Sequence, residues 1–259
     1  AAVDGDIRAT GHVVVSSGVT LTIEPGVTVK FDSGKSLLID GTLIAQGTSS
    51  SKITFTSSAA SPARADWGFI EFRNGSPGTT VDGSGNYVSG QVLEHCVVEY
   101  AGYNIDNFII GNPPFINNCT FAHNGPSIGG TDYVIWAGTV DAIVKNSTIT
   151  QNPSLSGIRS LENATIDANT SIGSGITANK NSTVSNNTLT GAGIQLSGES
   201  GGTLTVSNNT LTGSGIQLSG GSGGTVTVSG NTIMDSGGHG VSKSSGGGTL
   251  TVHPKPPNI

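Results

Sequence analysis

Residues 203–224, TLTVSNNTLTGSGIQLSGGSGG, nearly duplicate the 22 residues before them and are echoed by TVTVSGNTIMDSGGHGVSKSSGGG at 225–248. A repeat at that period outranks any local motif as a constraint on the fold. About 22 residues of short alternating strands is too long for a hairpin and leaves no room for a crossover helix. It suits one coil of a parallel β-helix. The chain is therefore read as all-β, a single right-handed parallel β-helix of about eleven coils with three short strands per coil.

The register extends upstream. One inward column reads Leu93, Ile116, Val144, Leu161, Val184, Val206, Val228 and Val252; a second, five positions on, reads Val98, Phe121, Ile149, Ile166, Leu189, Leu211 and Ile233. Between them lies a two-residue corner: His95-Cys96, Asn118-Cys119, Asn146-Ser147, Asn163-Ala164, Asn186-Asn187, Asn208-Asn209 and Gly230-Asn231. A sharp corner needs a left-handed backbone position, which Asn and Gly tolerate best, and stacked amides bond from coil to coil. The corner is read as an asparagine ladder, and sequons such as NNT as its by-product. The third strand follows as GITA, GIQL, GIQL and GVSK from 175, 193, 215 and 240, the glycine making the turn. Cys96 and Cys119 share one corner site a coil apart, close enough for a disulfide or a stacked thiol pair.

The opening segments VTLTIEPGVTVKF, LLIDGTLIAQGT, ITFTS, DWGFIEF and VLEHCVVEYAG closely resemble the first coils of secreted bacterial right-handed β-helix proteins, the pectate-lyase-like solenoids. The resemblance implies fold and export, and is poor for function, because such helices serve lyases, hydrolases, adhesins and scaffolds alike. The helix is expected over 1–253, with aromatic and loop-rich coils to 136, regular repeats over 180–253, and a Pro-rich tail or linker at 254–259. The opening AAVDGDI, without an initiator methionine, fits the mature end of a secreted or cell-surface protein.

Composition narrows the partners. Only 11% of residues are charged and the net charge is −6 with no basic block, which argues against nucleic acid. No apolar run is long enough to span a membrane. All aromatic residues lie at or before Trp136. Insertions at 57–68, 73–90, 100–114 and 123–136 are read as loops on a rigid scaffold, where binding residues usually sit. Tyr87, Tyr103, Tyr133 and Trp136 offer stacking faces for sugar rings, and Asp106 and Asp132 accept hydroxyl hydrogen bonds. The alternative is that these aromatics only pin the loops.

The run SGGHGVSKSS at 236–245 is similar to the active-site histidine segment of polygalacturonases. That resemblance would require paired aspartates upstream and an Arg-Ile-Lys run downstream; neither is present, so His239 reads as a repeat position. A lyase would need calcium on clustered carboxylates and an arginine base, with Asp66, Glu71, Glu99, Asp106 and Asp132 the carboxylates to converge and Arg159 the best-placed arginine. Calcium is expected only in that case, and otherwise no cofactor or metal. A third reading comes from outward threonines, Thr148, Thr150, Thr188, Thr190, Thr210 and Thr212 on one face and Thr203, Thr205, Thr225 and Thr227 on another, which resemble the Thr-x-Thr arrays of β-solenoid antifreeze proteins. The leading expectation is a non-catalytic extracellular scaffold that binds a polysaccharide or surface, or assembles into a larger structure. Further domains or copies would cover the helix ends.

Overall fold

The structure, a computed structural model, describes residues 2–73, 75–102, 107–111, 114–125, 132–138, 141–152, 155–160, 162–197, 202–219, 224–244 and 249–253, with backbone only for 107–111, 132, 155 and 253. Among these the chain winds into three parallel sheets of 11, 10 and 10 strands, each strand pairing with its equivalent one coil away. The first sheet runs from Ala2–Val3 to Thr249–His253, the second from Ile7–Ala9 to Thr232–Met234, and the third from Val13–Val15 to Val241–Lys243. The one antiparallel pair among the described residues is a hairpin, Thr80–Val81 with Tyr87–Ser89.

Most strands of the regular coils alternate buried residues with outward neighbours, as period-2 patterning requires. Val184, Val206 and Val228 stack inside the first sheet, Leu189 and Leu211 inside the second, and Ile176, Ile194 and Ile216 inside the third, all essentially buried. Each such side chain contributes roughly 1.5–3 kcal/mol by leaving water. The three ion pairs among the described residues, Arg8 with Asp32 and Arg73 with Asp40 and Glu71, are exposed or half-exposed. At about 0–1 kcal/mol apiece they are minor beside the apolar columns. The N-terminal coils are filled by aromatics: Trp67 is fully buried, stacks on Phe31 at 4.4 Å and donates its indole N–H to the Glu99 carbonyl at 2.7 Å.

The corner between the first and second sheets works as expected in most coils. Asn118, Asn146, Asn186 and Asn208 hold φ between 50° and 58°, and the next residue turns its side chain inward. The amide N–H groups of Asn169, Asn187 and Asn209 each donate to the side-chain oxygen of the residue one coil on, Asn187, Asn209 and Asn231, all at 2.9 Å. Upstream, Ser147, Cys119 and Cys96 fill the same column, and Ser147 donates its N–H to Asn169. Both cysteines are free, buried thiols that donate to carbonyl oxygens of the neighbouring strands. Burial, reinforced by hydrogen bonding with Cys119, pushes the Cys96 thiol well above its ordinary pKa.

One coil departs from the expected register. The first-sheet position expected for Leu161 is held by Ile166, which pairs with Val144 and Val184, and the second-sheet position expected for Ile166 is held by Ser171, between Ile149 and Leu189. Leu161 itself lies outside the described residues. The corner there is Ala168-Asn169, with Ala168 at φ 55°, rather than Asn163-Ala164. Asn163 is also left-handed, at φ 54°, but its N–H donates to Lys180, beside Asn181 on a different corner. Two corners share one local spelling, and an 18-residue coil between Thr165 and Thr183 brings the wrong one into a 22-residue alignment.

Two expected loops are in part coil strands. Asn107–Gly111 and Asp132–Ala137 are successive third-sheet strands, with Ile109 paired to Ile135 and Ile110 to Trp136. The insertion at 73–90 does project: its hairpin lies on the first sheet, where Tyr87 meets Phe115 at 5.8 Å and donates its hydroxyl to the Gly90 carbonyl at 2.9 Å. That cover buries Val92 and Phe115, which point outward from the coil.

Candidate binding face

The third sheet carries the described groove, a channel of about 420 Å³ lined along successive coils by Ser156, Thr177, Gln195, Gln217, His239 and Ser242, among others. Its floor is a glycine column, Gly175, Gly193 and Gly215. These glycines are required by close approach. A Cβ on Gly175 would sit 2.7 Å from the Gly193 carbonyl oxygen, one on Gly193 would strike the Gly215 carbonyl, and one on Gly215 would sit 2.5 Å from the Gly240 carbonyl. The turn itself is made two residues earlier, by Gly173, Gly191 and Gly213 at φ 72° to 82°. The sequence reading assigned the turn to the wrong glycine of each pair, because spacing alone does not distinguish a left-handed glycine from one that must lack a side chain.

Beside the floor runs one outward column, Trp136, Arg159, Thr177, Gln195, Gln217, Ser242, each paired to the next across adjacent strands. Trp136 and Arg159 are half-buried and head the line. The Arg159 guanidinium lies 5.1 Å over the Tyr133 ring and donates to its hydroxyl at 3.2 Å. It is held by an aromatic face rather than a carboxylate, and its Nε has no hydrogen-bond partner among the described residues. Tyr133 in turn pairs with Ser156 at the groove wall. His239 sits in an exposed turn on the other wall, near Ser236.

The sequence-selected residues divide accordingly. Tyr133 and Trp136 lie on the same third-sheet strand, one coil before the groove lining, Tyr133 paired with Ser156 and Trp136 with Arg159; Tyr87 belongs to the hairpin over the first sheet. Tyr103 and Asp106 lie outside the described residues, and Asp132 is described in its backbone alone, paired with Leu155. Of the carboxylates named for a lyase, Asp66 accepts from Ser57 and from the Ala63 N–H, Glu71 pairs with Arg73 on the third sheet, and Glu99 accepts from Thr56 on the second. Among the described residues no group of three or more His, Cys, Asp or Glu is placed to hold a metal ion. The groove itself was not anticipated, since binding residues were expected on the insertions before residue 136. Its signal lay in the outward Gln, Ser and Thr beside each GI pair.

The threonine candidates fall on two sheets. Thr148, Thr150, Thr188, Thr190, Thr210 and Thr212 belong to the second sheet, and Thr203, Thr205, Thr225 and Thr227 to the first. The second-sheet face is longer than the sequence suggested: one column reads Thr120, Thr148, Thr170, Thr188, Thr210, Thr232 and its neighbour Ala122, Thr150, Ile172, Thr190, Thr212, Met234. Asp167 lies on the first sheet, between Lys145 and Ser185.

Residues 25–254 match the family described as "Right handed beta helix region". Curated protein sequences give no match. A solved structure, the crystal structure of an alginate lyase from Paenibacillus sp. str. FPU-7, is similar over 95% of this chain and 99% of its own, with 12% identity and a TM-score of 0.29. The uninterrupted coil-to-coil pairing and the match across nearly its whole length agree: this chain belongs to the right-handed β-helix family.

Proposed function

We propose that the protein is an extracellular, non-catalytic scaffold that holds an extended, polar polysaccharide along the third sheet. The observation that carries this reading is the groove, whose lining of hydroxyls, carboxamides and one imidazole repeats from coil to coil and both donates and accepts hydrogen bonds. An extended chain laid along the helix axis would meet the same donors and acceptors at every coil, about 4.8 Å apart. Trp136 and Tyr133 at the head supply the apolar faces that such a chain packs against. Each contact is weak alone, so affinity would come from several coils acting together.

Affinity electrophoresis against a panel of soluble polysaccharides tests it. Retardation by at least one polymer, reduced in Trp136→Ala and in a Gln195→Ala/Gln217→Ala pair while Thr227→Ala on the first sheet binds as the parent, is the expected result. Absence of retardation by every polymer would sink the reading. Release of new reducing ends or unsaturated sugars would replace it with a lyase or hydrolase.

A further inference from the structure

We infer that the outward face of the second sheet, from Thr120 to Met234, is an ice-binding surface, separate from the groove. Its two columns hold no charged and no aromatic residue over six successive strands. The other faces differ: the first sheet carries Lys145 and Asp167 outward, and the third carries Arg159 and Trp136. Apart from threonine, the second-sheet positions are Ala122, Ile172 and Met234, and the latter two are 52% and 44% exposed. With Ala122 buried, the exposed face is threonine hydroxyl and methyl, joined by the apolar side chains of Ile172 and Met234.

The partner follows from that chemistry and from its spacing. Threonines two apart on a strand stand about 6.7 Å from each other, and equivalents on the next coil about 4.8 Å away. The backbone pairing that fixes this grid is continuous, and the corner asparagines bond each coil to the next. A rigid two-dimensional grid is complementary to a surface that is itself periodic. Without charge it offers nothing to an ionic polymer, and without aromatic rings it gives sugar faces no stacking platform. Water is the partner that meets both halves of each side chain. The hydroxyl anchors one molecule, while the methyl beside it restricts the orientations of the next. Rows of such sites hold a first water layer in the repeat of the sheet, and a layer so held can join a growing crystal.

Thermal hysteresis and crystal shape, measured on the whole chain by nanolitre osmometry, test this directly. The parent is expected to show hysteresis and faceted crystals. Thr188→Tyr and Thr190→Tyr, at exposed positions in the middle of the face, should abolish both, whereas Thr227→Tyr on the first sheet should retain them, with circular dichroism matching the parent in each case. Absence of hysteresis in the parent, or equal loss in Thr227→Tyr, overturns the inference. So does a concentration-dependent dimer that Thr188→Tyr disperses, or retention on crystalline cellulose or chitin that Thr188→Tyr releases, since either gives the face another occupant. Loss of polysaccharide retardation in Trp136→Ala with hysteresis intact would separate the two faces.

Discussion

Asn186 and Asn187 are neighbours in one corner and should respond very differently to truncation. The Asn187 side chain is buried; its oxygen accepts from the Asn169 backbone N–H at 2.9 Å and from the Asn169 amide at 3.0 Å, and its own amide donates to the carbonyl of Ile166 at 2.9 Å. Replacing it with alanine strands the Asn169 N–H and leaves the Ile166 carbonyl short of a donor. At roughly 1–3 kcal/mol for each stranded buried group, Asn187→Ala should cost about 2–6 kcal/mol. Asn186 is exposed, holds φ 57° and donates its side-chain amide to the Asp167 carboxylate at 2.7 Å, so Asn186→Ala should cost only about 1–2 kcal/mol, the left-handed penalty of a Cβ together with a solvent-exposed hydrogen bond. Asn186→Gly should cost less, the left-handed penalty being absent. Urea unfolding followed by far-ultraviolet circular dichroism ranks the three, and hydrogen exchange should show the Asn169 amide losing its protection in Asn187→Ala alone. An Asn187→Ala protein within about 1 kcal/mol of the parent, or equal to Asn186→Ala, would refute the view that buried amides hold the coils together.

Three further outcomes are expected. Cys96 and Cys119, buried and with the Cys96 thiol pushed up, should ignore a thiol reagent in the native protein at mildly alkaline pH and react only after unfolding; native labelling would contradict the packing of that corner. Trp67→Ala should cost about 3–5 kcal/mol, and Trp67 should give the blue-shifted, poorly quenched part of the fluorescence while half-buried Trp136 is quenched by iodide. The Asp32 carboxyl is held below the usual range by the Arg8 guanidinium and then by the Ser58 hydroxyl. A depressed carboxylate stabilises the fold above its unfolded pKa, and that contribution is lost as pH falls through its folded value. The parent should therefore melt above Asp32→Asn at neutral pH, the gap closing in acid; a gap that persists below the folded pKa would assign the effect to packing.

The fold was legible because one coil cannot bury its apolar residues alone, so the repeat that stacks them is written into the chain. Leu189, Leu211 and the Asn187-Asn209-Asn231 column could be read directly for that reason. The slip at Ile166 arose where a coil shortens to 18 residues and two left-handed corners both spell Asn. Tyr133 and Trp136 were placed on a loop although they lie on a coil strand, because a strand that follows an irregular insertion carries no repeat to align it. The groove was missed for a subtler reason. Gly175, Gly193 and Gly215 read as turn residues, and only the position of the carbonyl on the next coil shows that they leave a channel.

Thr203–Ser207 and Thr225–Ser229 pair residue for residue, as do Thr188 with Thr210 and Ile194 with Ile216. The two coils are interchangeable parts. Excising 203–224 would join Gly202 to Thr225 with every column still in line, and inserting a further copy would extend the body by one strand spacing, about 4.8 Å. A gene carrying such tandem segments can gain or lose them by unequal exchange without disturbing either end of the solenoid. Length in this protein is therefore a heritable, quantised dimension, adjustable in single coils while the aromatic-packed N-terminal portion stays unchanged.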